Sequence, residues 1–295
     1  MIRIELQVDL SYEIDGGGAD FVFNLHAAHT SRQTISAEQL MLSQSVPQRM
    51  YTDPANGNRY MYVHGEPGDL KLSYSATIDL VHHFVDPVQI AEVPVRYLPP
   101  EVIAYIYPSR YCQSDRLVKL ASREFGGLPQ GYGRVLAIRD WVRQRVTFTS
   151  NSSNGNTSAV DTLIEQVGVC RDFAHLMIAL CRAVNIPARF TTGTDYGADP
   201  ALGPSDFHAY VEVYLGNAWY IFDPSGTGIP MGFVRFGTGR DAADVAFASI
   251  FGGVMTHAAV ICAVVIQDEA SGMILPYHCQ EALSTDSEMA VVPPG

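Results

Sequence analysis

Apolar residues occupy every even position of the opening stretch, at Ile2, Ile4, Leu6, Val8 and Leu10. A period of two marks a strand with one buried face. The run Asp15-Gly16-Gly17-Gly18 reads as a turn, after which Phe21, Phe23 and Leu25 alternate again. Asn56-Gly57-Asn58 is a hairpin signal placed before Tyr60, Tyr62 and His64. Leu70, Leu72 and Tyr74 open a further alternating run that continues toward Leu80. Several short strands at this spacing predict an antiparallel β-sandwich over residues 1–95. The prolines at 94, 99 and 100 then mark a boundary.

Beyond that boundary the period lengthens. Ser114-Asp115 caps a predicted helix carrying Leu117, Leu120 and Ala121, and Gly126-Gly127 ends it. A second helix is expected near Arg134 to Arg145, a polar loop over 150–156, and a short helix opened by the capping box Ser158-x-x-Asp161. From Cys170 to Val184 there is neither Gly nor Pro, and Phe173, Leu176, Met177, Leu180, Cys181 and Val184 trace one helical face. Asn185-Ile186-Pro187 stops it. Two strands follow, Phe207 to Leu215 and Ala218 to Phe222, joined by Gly216-Asn217. The glycine-rich stretch from Gly226 to Gly239 lacks the Gly-Lys-Ser/Thr of a phosphate-binding loop and reads as a loop. The fold class is α+β: an N-terminal domain over 1–95, a core over 96–270 and a C-terminal tail over 271–295.

Composition narrows the partners. Apolar residues make up 47% of the 295, enough for a sizeable core. Nineteen Lys and Arg against 31 Asp and Glu leave a formal charge of −12. Such a surface repels phosphate backbones and anionic membranes, so neither nucleic acid nor a membrane is an expected partner. The longest apolar stretch, near Ala258 to Ile266, is far shorter than the roughly 20 residues of a spanning helix. The alternating N-terminus is unlike a signal peptide. Five cysteines without a Cys-x-x-Cys pair suggest at least one free thiol and a cytoplasmic location.

One of those thiols has a favourable place. Cys170 falls at the start of its predicted helix, where unpaired N–H groups and the helix dipole favour a thiolate and can stabilise an oxyanion. Cys181 lies about 16 Å further along the same helix, out of disulfide reach. Cys112, Cys262 and Cys279 have no nearby base in sequence, and all four are expected to be structural. His175 sits about 140° around the helix from Cys170 and reads as a helix-side contact. His208 is the better base. A two-residue turn pairs Leu215 with Ala218 and so Tyr210 with Asp223. His208 and Asp223 then become diagonal neighbours on the face opposite the apolar one, about 7–8 Å apart at the backbone. Asp223 can orient the imidazole while His208 takes the thiol proton. His82 and His83 are adjacent, face opposite sides of a strand and suggest no metal site.

The words Gly168-Val169-Cys170-Arg171-Asp172-Phe173-Ala174-His175-Leu176, Asn185-Ile186-Pro187-Ala188-Arg189, Asp206-Phe207-His208-Ala209-Tyr210 and Trp219-Tyr220-Ile221-Phe222-Asp223-Pro224 resemble the bacterial transglutaminase-like superfamily. Tyr107-Pro108-Ser109-Arg110-Tyr111 is similar to the entry to that family's core, and Gly239 to Val245 to the segment after the catalytic Asp. The N-terminal β region is similar to the domain that precedes the core in many bacterial members. The resemblance implies a papain-like fold with Cys170 as nucleophile, His208 as general base and acid, and Asp223 as orienter. It implies acyl transfer or hydrolysis on a protein or peptide substrate, with hydrolysis favoured. No cofactor or metal is implied, and no acidic loop resembles a calcium site. Animal members use a Trp upstream of the Cys as an oxyanion donor; Trp141 lies too far back for that role, which leaves Asn151 or Asn154 as a second donor. The competing readings are a non-catalytic scaffold and an acetyltransferase of the arylamine type. No coenzyme A feature is visible for the latter.

Overall fold

The computed structural model describes residues 1–197 and 206–286. Strands β1 (Ile2–Phe23), β2 (Gln33–Leu42), β3 (Gln48–Thr52), β4 (Arg59–Gly65) and β5 (Gly68–Leu80) build an antiparallel N-terminal sheet in the order β2-β5-β1-β4-β3. The expected turn at Asp15-Gly16-Gly17-Gly18 is absent, because β1 runs straight through it for 22 residues. What the glycines produce is a register shift between Ile14 and Ala19. Buried positions are even up to Ile14 and odd from Ala19 to Phe23, the parity change that an irregularity in a strand imposes. The strands beside β1 break at the same level. β5 pairs residues 2–14 of β1 and β4 pairs residues 19–23, with the break at 66–67. β2 and β3 line up on β5 and β4 in the same way.

A short strand β6 (His83–Val85) leads into the core, where α1 (Ser114–Phe125) and α2 (Tyr132–Arg145) match the predicted helices. Two-residue strands β7 (Thr147–Phe148) and β8 (Val167–Gly168) flank α3 (Ala159–Glu165), and α4 (Cys170–Ala183) follows. The Ser158 N–H and hydroxyl both donate to Asp161 Oδ2, at 2.9 and 2.6 Å, so the capping box is formed. The core sheet contains β9 (Ala188–Asp195), β10 (Phe207–Leu215), β11 (Ala218–Phe222) and β12 (Phe233–Gly239), ordered β11-β10-β9-β12. The stretch read as a loop from Gly226 to Gly239 therefore ends in a strand. Its glycines hid the alternation, and one of them is required: a Cβ on Gly237 would lie 2.7 Å from Asn24 Nδ2 and 2.9 Å from Asn58 Oδ1.

The chain then returns to the first sheet. β13 (Ala248–Thr256) and β14 (Val260–Ile266) both pair with β1, so sheet membership crosses the sequence division placed at 95. Residues 282–286 of the C-terminal stretch are tied in as well. β15 (Ala282–Ser284) pairs with β6, and Asp286 reaches Arg189 and Arg235.

Two apolar cores lie on either side of the core sheet. One joins α1, α2 and α4 to Ala209, Val211, Val213, Leu215, Tyr220 and Phe222. The other joins the apolar face of the N-terminal sheet to Tyr210, Ile221, Phe233 and Phe236. The sheet-on-sheet packing expected within residues 1–95 is thus made between that region and the core. That contact buries Tyr210 and Ile221 of the hairpin. The same contact closes the edge of β12. Gln33 exchanges two hydrogen bonds with the Arg235 backbone (2.8 and 2.9 Å), and Asn58 does the same with Thr238 (2.8 and 2.9 Å). Among the described residues no helix is long and apolar enough to cross a membrane.

Candidate active site

Helix α4 begins where its sequence can close its own N-terminus. Asp172 Oδ2 accepts from the Val169 N–H at 2.9 Å, while the Asp172 and Phe173 N–H groups donate to Val169 O. This back-bonding of a third-position carboxylate onto the cap is half of a capping box. Cys170 is the first helical residue and is partly exposed, whereas every residue from Asp172 to Ala183 is buried. The N–H groups of Cys170 and Arg171 have no acceptor among the described residues. They are the open donors that a helix start provides. Arg171 reaches across to Asn154 O (2.7 Å) and Ser153 Oγ (3.3 Å), which pins the 150–156 loop to this helix start.

His208 and Asp223 come from the hairpin in the expected register. Leu215 pairs with Ala218 and Val211 with Phe222. Gly216 (φ 54°) and Asn217 (φ 66°) supply the left-handed pair that a two-residue turn needs. His208 also pairs with Gly193 of β9 and is buried. Its Nε2 lies 3.9 Å from Asp223 Oδ1, an ion-pair separation longer than a hydrogen bond, and has no hydrogen-bond partner. Asp223 is held firmly. Its Oδ1 accepts from Ser225 N–H (2.9 Å) and Ser225 hydroxyl (2.6 Å), and its Oδ2 from Gly228 N–H (3.1 Å).

His208 and Asp223 each favour the charged form of the other. Burial disfavours the imidazolium of His208, yet the Cys170 side chain and the Asp223 carboxylate outweigh it and hold the imidazole pKa well above its usual value. Burial would likewise raise Asp223, but His208, Ser225 and the Gly228 N–H bring its carboxyl below the ordinary range. The structure therefore brings Cys170, His208 and Asp223 to one place: a helix N-terminus facing a strand histidine backed by an anchored carboxylate.

The remaining sequence candidates sort themselves by burial. His175 is fully buried, lies flat on Tyr111 at 4.9 Å and accepts from the Ala242 N–H through Nε2. Burial, Arg171 and Arg182 keep it neutral. Cys181 and Cys112 are buried and their thiols are pushed up by that burial, Cys112 to about 12. Cys262 is exposed on β14, Cys279 is partly exposed, and all five cysteines are free. Trp141 donates to Glu124 at 3.3 Å and packs on Phe125, occupied on α2 as its distance in sequence suggested. Asn151 is an exposed loop residue with positive φ, and Asn154 uses its Oδ1 to accept from Asn156 N–H. His82 is half-buried, and desolvation lowers its imidazole to about 4.

One buried acid was missed. Asp195 ends β9, a strand with no period-two signal between Pro187 and Gly197. Its Oδ2 accepts from the Tyr210 hydroxyl at 2.6 Å and from the Ile229 N–H at 3.1 Å.

Two family models match the chain. The transglutaminase-like superfamily matches residues 119–224, which include Cys170, His208 and Asp223, and the bacterial transglutaminase N-terminal domain matches residues 2–101. A solved structure from Cytophaga hutchinsonii, provisionally described as a cysteine protease, superposes with a TM-score of 0.89 at 38% identity, covering 96% of this chain and 97% of that one. An uncharacterized protein of Mycobacterium leprae is 27% identical over 146 residues, 48% of this chain and 52% of the relative. One of Mycobacterium tuberculosis is 33% identical over 110 residues, 34% of this chain and 35% of the relative. The matches thus span about half or less of those relatives' length. With its core, its preceding β domain and a near-full-length structural match all in agreement, the chain belongs to the transglutaminase-like superfamily.

Proposed function

We propose that this protein is a cysteine-dependent acyl-transfer enzyme that hydrolyses peptide or amide bonds, acting as a protease or amidase rather than a cross-linker. The observation that carries the proposal is the meeting of Cys170, at the open N-terminus of α4, with His208, whose charged form is favoured by both Cys170 and Asp223. In this reading His208 takes the Cys170 thiol proton and Sγ attacks the substrate carbonyl carbon. The Cys170 N–H faces the oxygen that becomes negative. As the carbon–nitrogen bond breaks, His208 returns the proton to the leaving amine. A water then gives its proton to His208 and its oxygen to the thioester carbon, releasing the acid and restoring the thiol. The 3.9 Å between His208 and Asp223 closes by about 1 Å to form a hydrogen bond when substrate excludes water. Peptide and protein substrates fit the chemistry, and water, always available, serves as the acceptor.

Cys170→Ala is expected to abolish release of product from casein, small peptides and glutamine amides, with and without a primary amine present. Unchanged turnover would sink the proposal. Alkylation of Cys170 by iodoacetamide at pH 6 separates the enzyme from an inert scaffold of the same fold: a rate no faster than that of a free thiol favours the scaffold. Five free thiols, one of them exposed on β14, support a reducing, cytoplasmic location. Recovery of the chain in a periplasmic fraction would overturn that placement.

A further inference from the structure

Behind the His208–Asp223 pair lies a second buried carboxyl group that the proposed reaction does not use. The Gly228–Ile229 segment divides consecutive N–H groups between the two acids: Gly228 N–H donates to Asp223 Oδ2 and Ile229 N–H to Asp195 Oδ2, each at 3.1 Å. The Tyr210 hydroxyl donates to the same Asp195 oxygen, and the Tyr210 ring lies 4.6 Å from the His208 ring. Phe233 closes the far side of Tyr210 at 4.4 Å. The space is filled to the atom: a Cβ on Gly228 would lie 1.8 Å from Asp195 Oδ2 and 2.5 Å from the Tyr210 hydroxyl. Asp195 thus grips both the loop that anchors Asp223 and the ring that backs His208. Its own Oδ1 has no partner.

We propose that Asp195 is a positioning residue for the His208–Asp223 pair, holding the Asp223 loop through Ile229 and the His208 ring through Tyr210, and setting the electrostatic field in which the imidazole titrates. The proposal rests on the reading of His208 as the base of the reaction. Among the described residues, the titratable groups facing Asp195 are His208 and Tyr210 from β10 and Asp223 beyond β11; the 226–232 segment offers amides, and Phe233 of β12 is apolar. His208 in turn faces Cys170 of α4, Asp223, Tyr210 and Asp195. Burial pushes Asp195 up to about 7, against the pull of His208 and Tyr210. Below that pH the site carries one carboxylate, Asp223. Above it a second negative charge arises beside the imidazole and holds its proton more tightly.

The test is the titration of the His208 imidazole, followed by NMR on histidine-labelled protein, in the wild type and in Asp195→Asn. The Asn side-chain oxygen can still accept from Tyr210 and Ile229, so a purely structural role predicts superimposable curves. Positioning with electrostatic coupling predicts that the variant loses the inflection near pH 7 and that its His208 midpoint falls by about half a unit or more. The pH profile of kcat should lose the same inflection, with KM little changed. Identical His208 curves in Asp195→Asn would overturn the electrostatic coupling, and an Asp195→Ala variant that leaves both the His208 curve and kcat unchanged would overturn the positioning role. If instead the curves differ while Cys170→Ala keeps full turnover, the coupling stands and the hydrolytic reading falls.

Discussion

At the scale of single residues, Gly228 sets the tightest tolerance of the site. Its missing side chain is the space that the Asp195 carboxyl and the Tyr210 hydroxyl occupy. Gly228→Ala is expected to push the 226–229 loop off Asp223. It should cost about 2–3 kcal/mol of stability as an overpacked site and a larger share of kcat than of KM, measured by thermal unfolding and steady-state kinetics. The meeting of Cys170, His208 and Asp223 was legible in the sequence because each sits where local rules act: a helix start, a strand and the strand paired with it across a two-residue turn. Asp195 was not. Its strand has neighbours on both sides and is buried at every position, so it shows no alternation, and nothing local distinguishes its carboxyl from a surface one.

At the scale of elements, the boundaries that matter are chemical. Helix α4 starts at Cys170 because the Asp172 carboxylate closes back on Val169 N–H. Asp172→Ala is expected to cost about 1–2 kcal/mol, as loss of a helix cap does. It should also slow alkylation of Cys170, read by mass spectrometry over time, because the helix start loosens. The helices α1, α2 and α4 and the β10–β11 hairpin followed directly from period and punctuation. Two of the departures from expectation involve glycine. At 15–18 the glycines shift the register within β1 instead of turning it. At Gly237 the glycine admits Asn24 and Asn58 against β12. Glycine punctuates a chain only when nothing else needs its missing side chain, and that need comes from other elements.

At the scale of the whole molecule, the described residues behave as one interlocked unit. Strands β13 and β14 return to β1, and Gln33 and Asn58 close the edge of β12. A buried ring of charges ties in the C-terminal stretch. Arg189 donates to Glu212 (2.6 Å) and Arg235 to both Glu212 (3.1 Å) and Asp286 (2.8 Å), with Arg189 also bonded to Asp286. Burial alone would raise the Asp286 carboxyl, but Arg235 and Arg189 override it and hold it far below the usual range. A depressed carboxylate contributes stability that is fully present above its unfolded pKa of about 4 and is lost as pH falls through the folded value. Asp286→Asn is therefore expected to cost about 3 kcal/mol near neutrality, because it leaves two buried guanidinium groups short of charge. The loss should shrink as the pH of the unfolding measurement is lowered below about 4.

Local sequence carried the local structure and the candidate groups: a thiol at a helix start, and a histidine and a carboxylate on the two arms of one hairpin. Periodicity, capping and turn chemistry act over a few residues, and these features live at that range. What surrounds them came from long-range packing. The sheet over the back of the hairpin, the strands that return to β1, the salt bridges of Asp286 and the place of Asp195 behind His208 all join residues tens to hundreds of positions apart. Such contacts form because apolar faces and buried charges must find partners somewhere in the folded chain, and no local pattern records which partner that is.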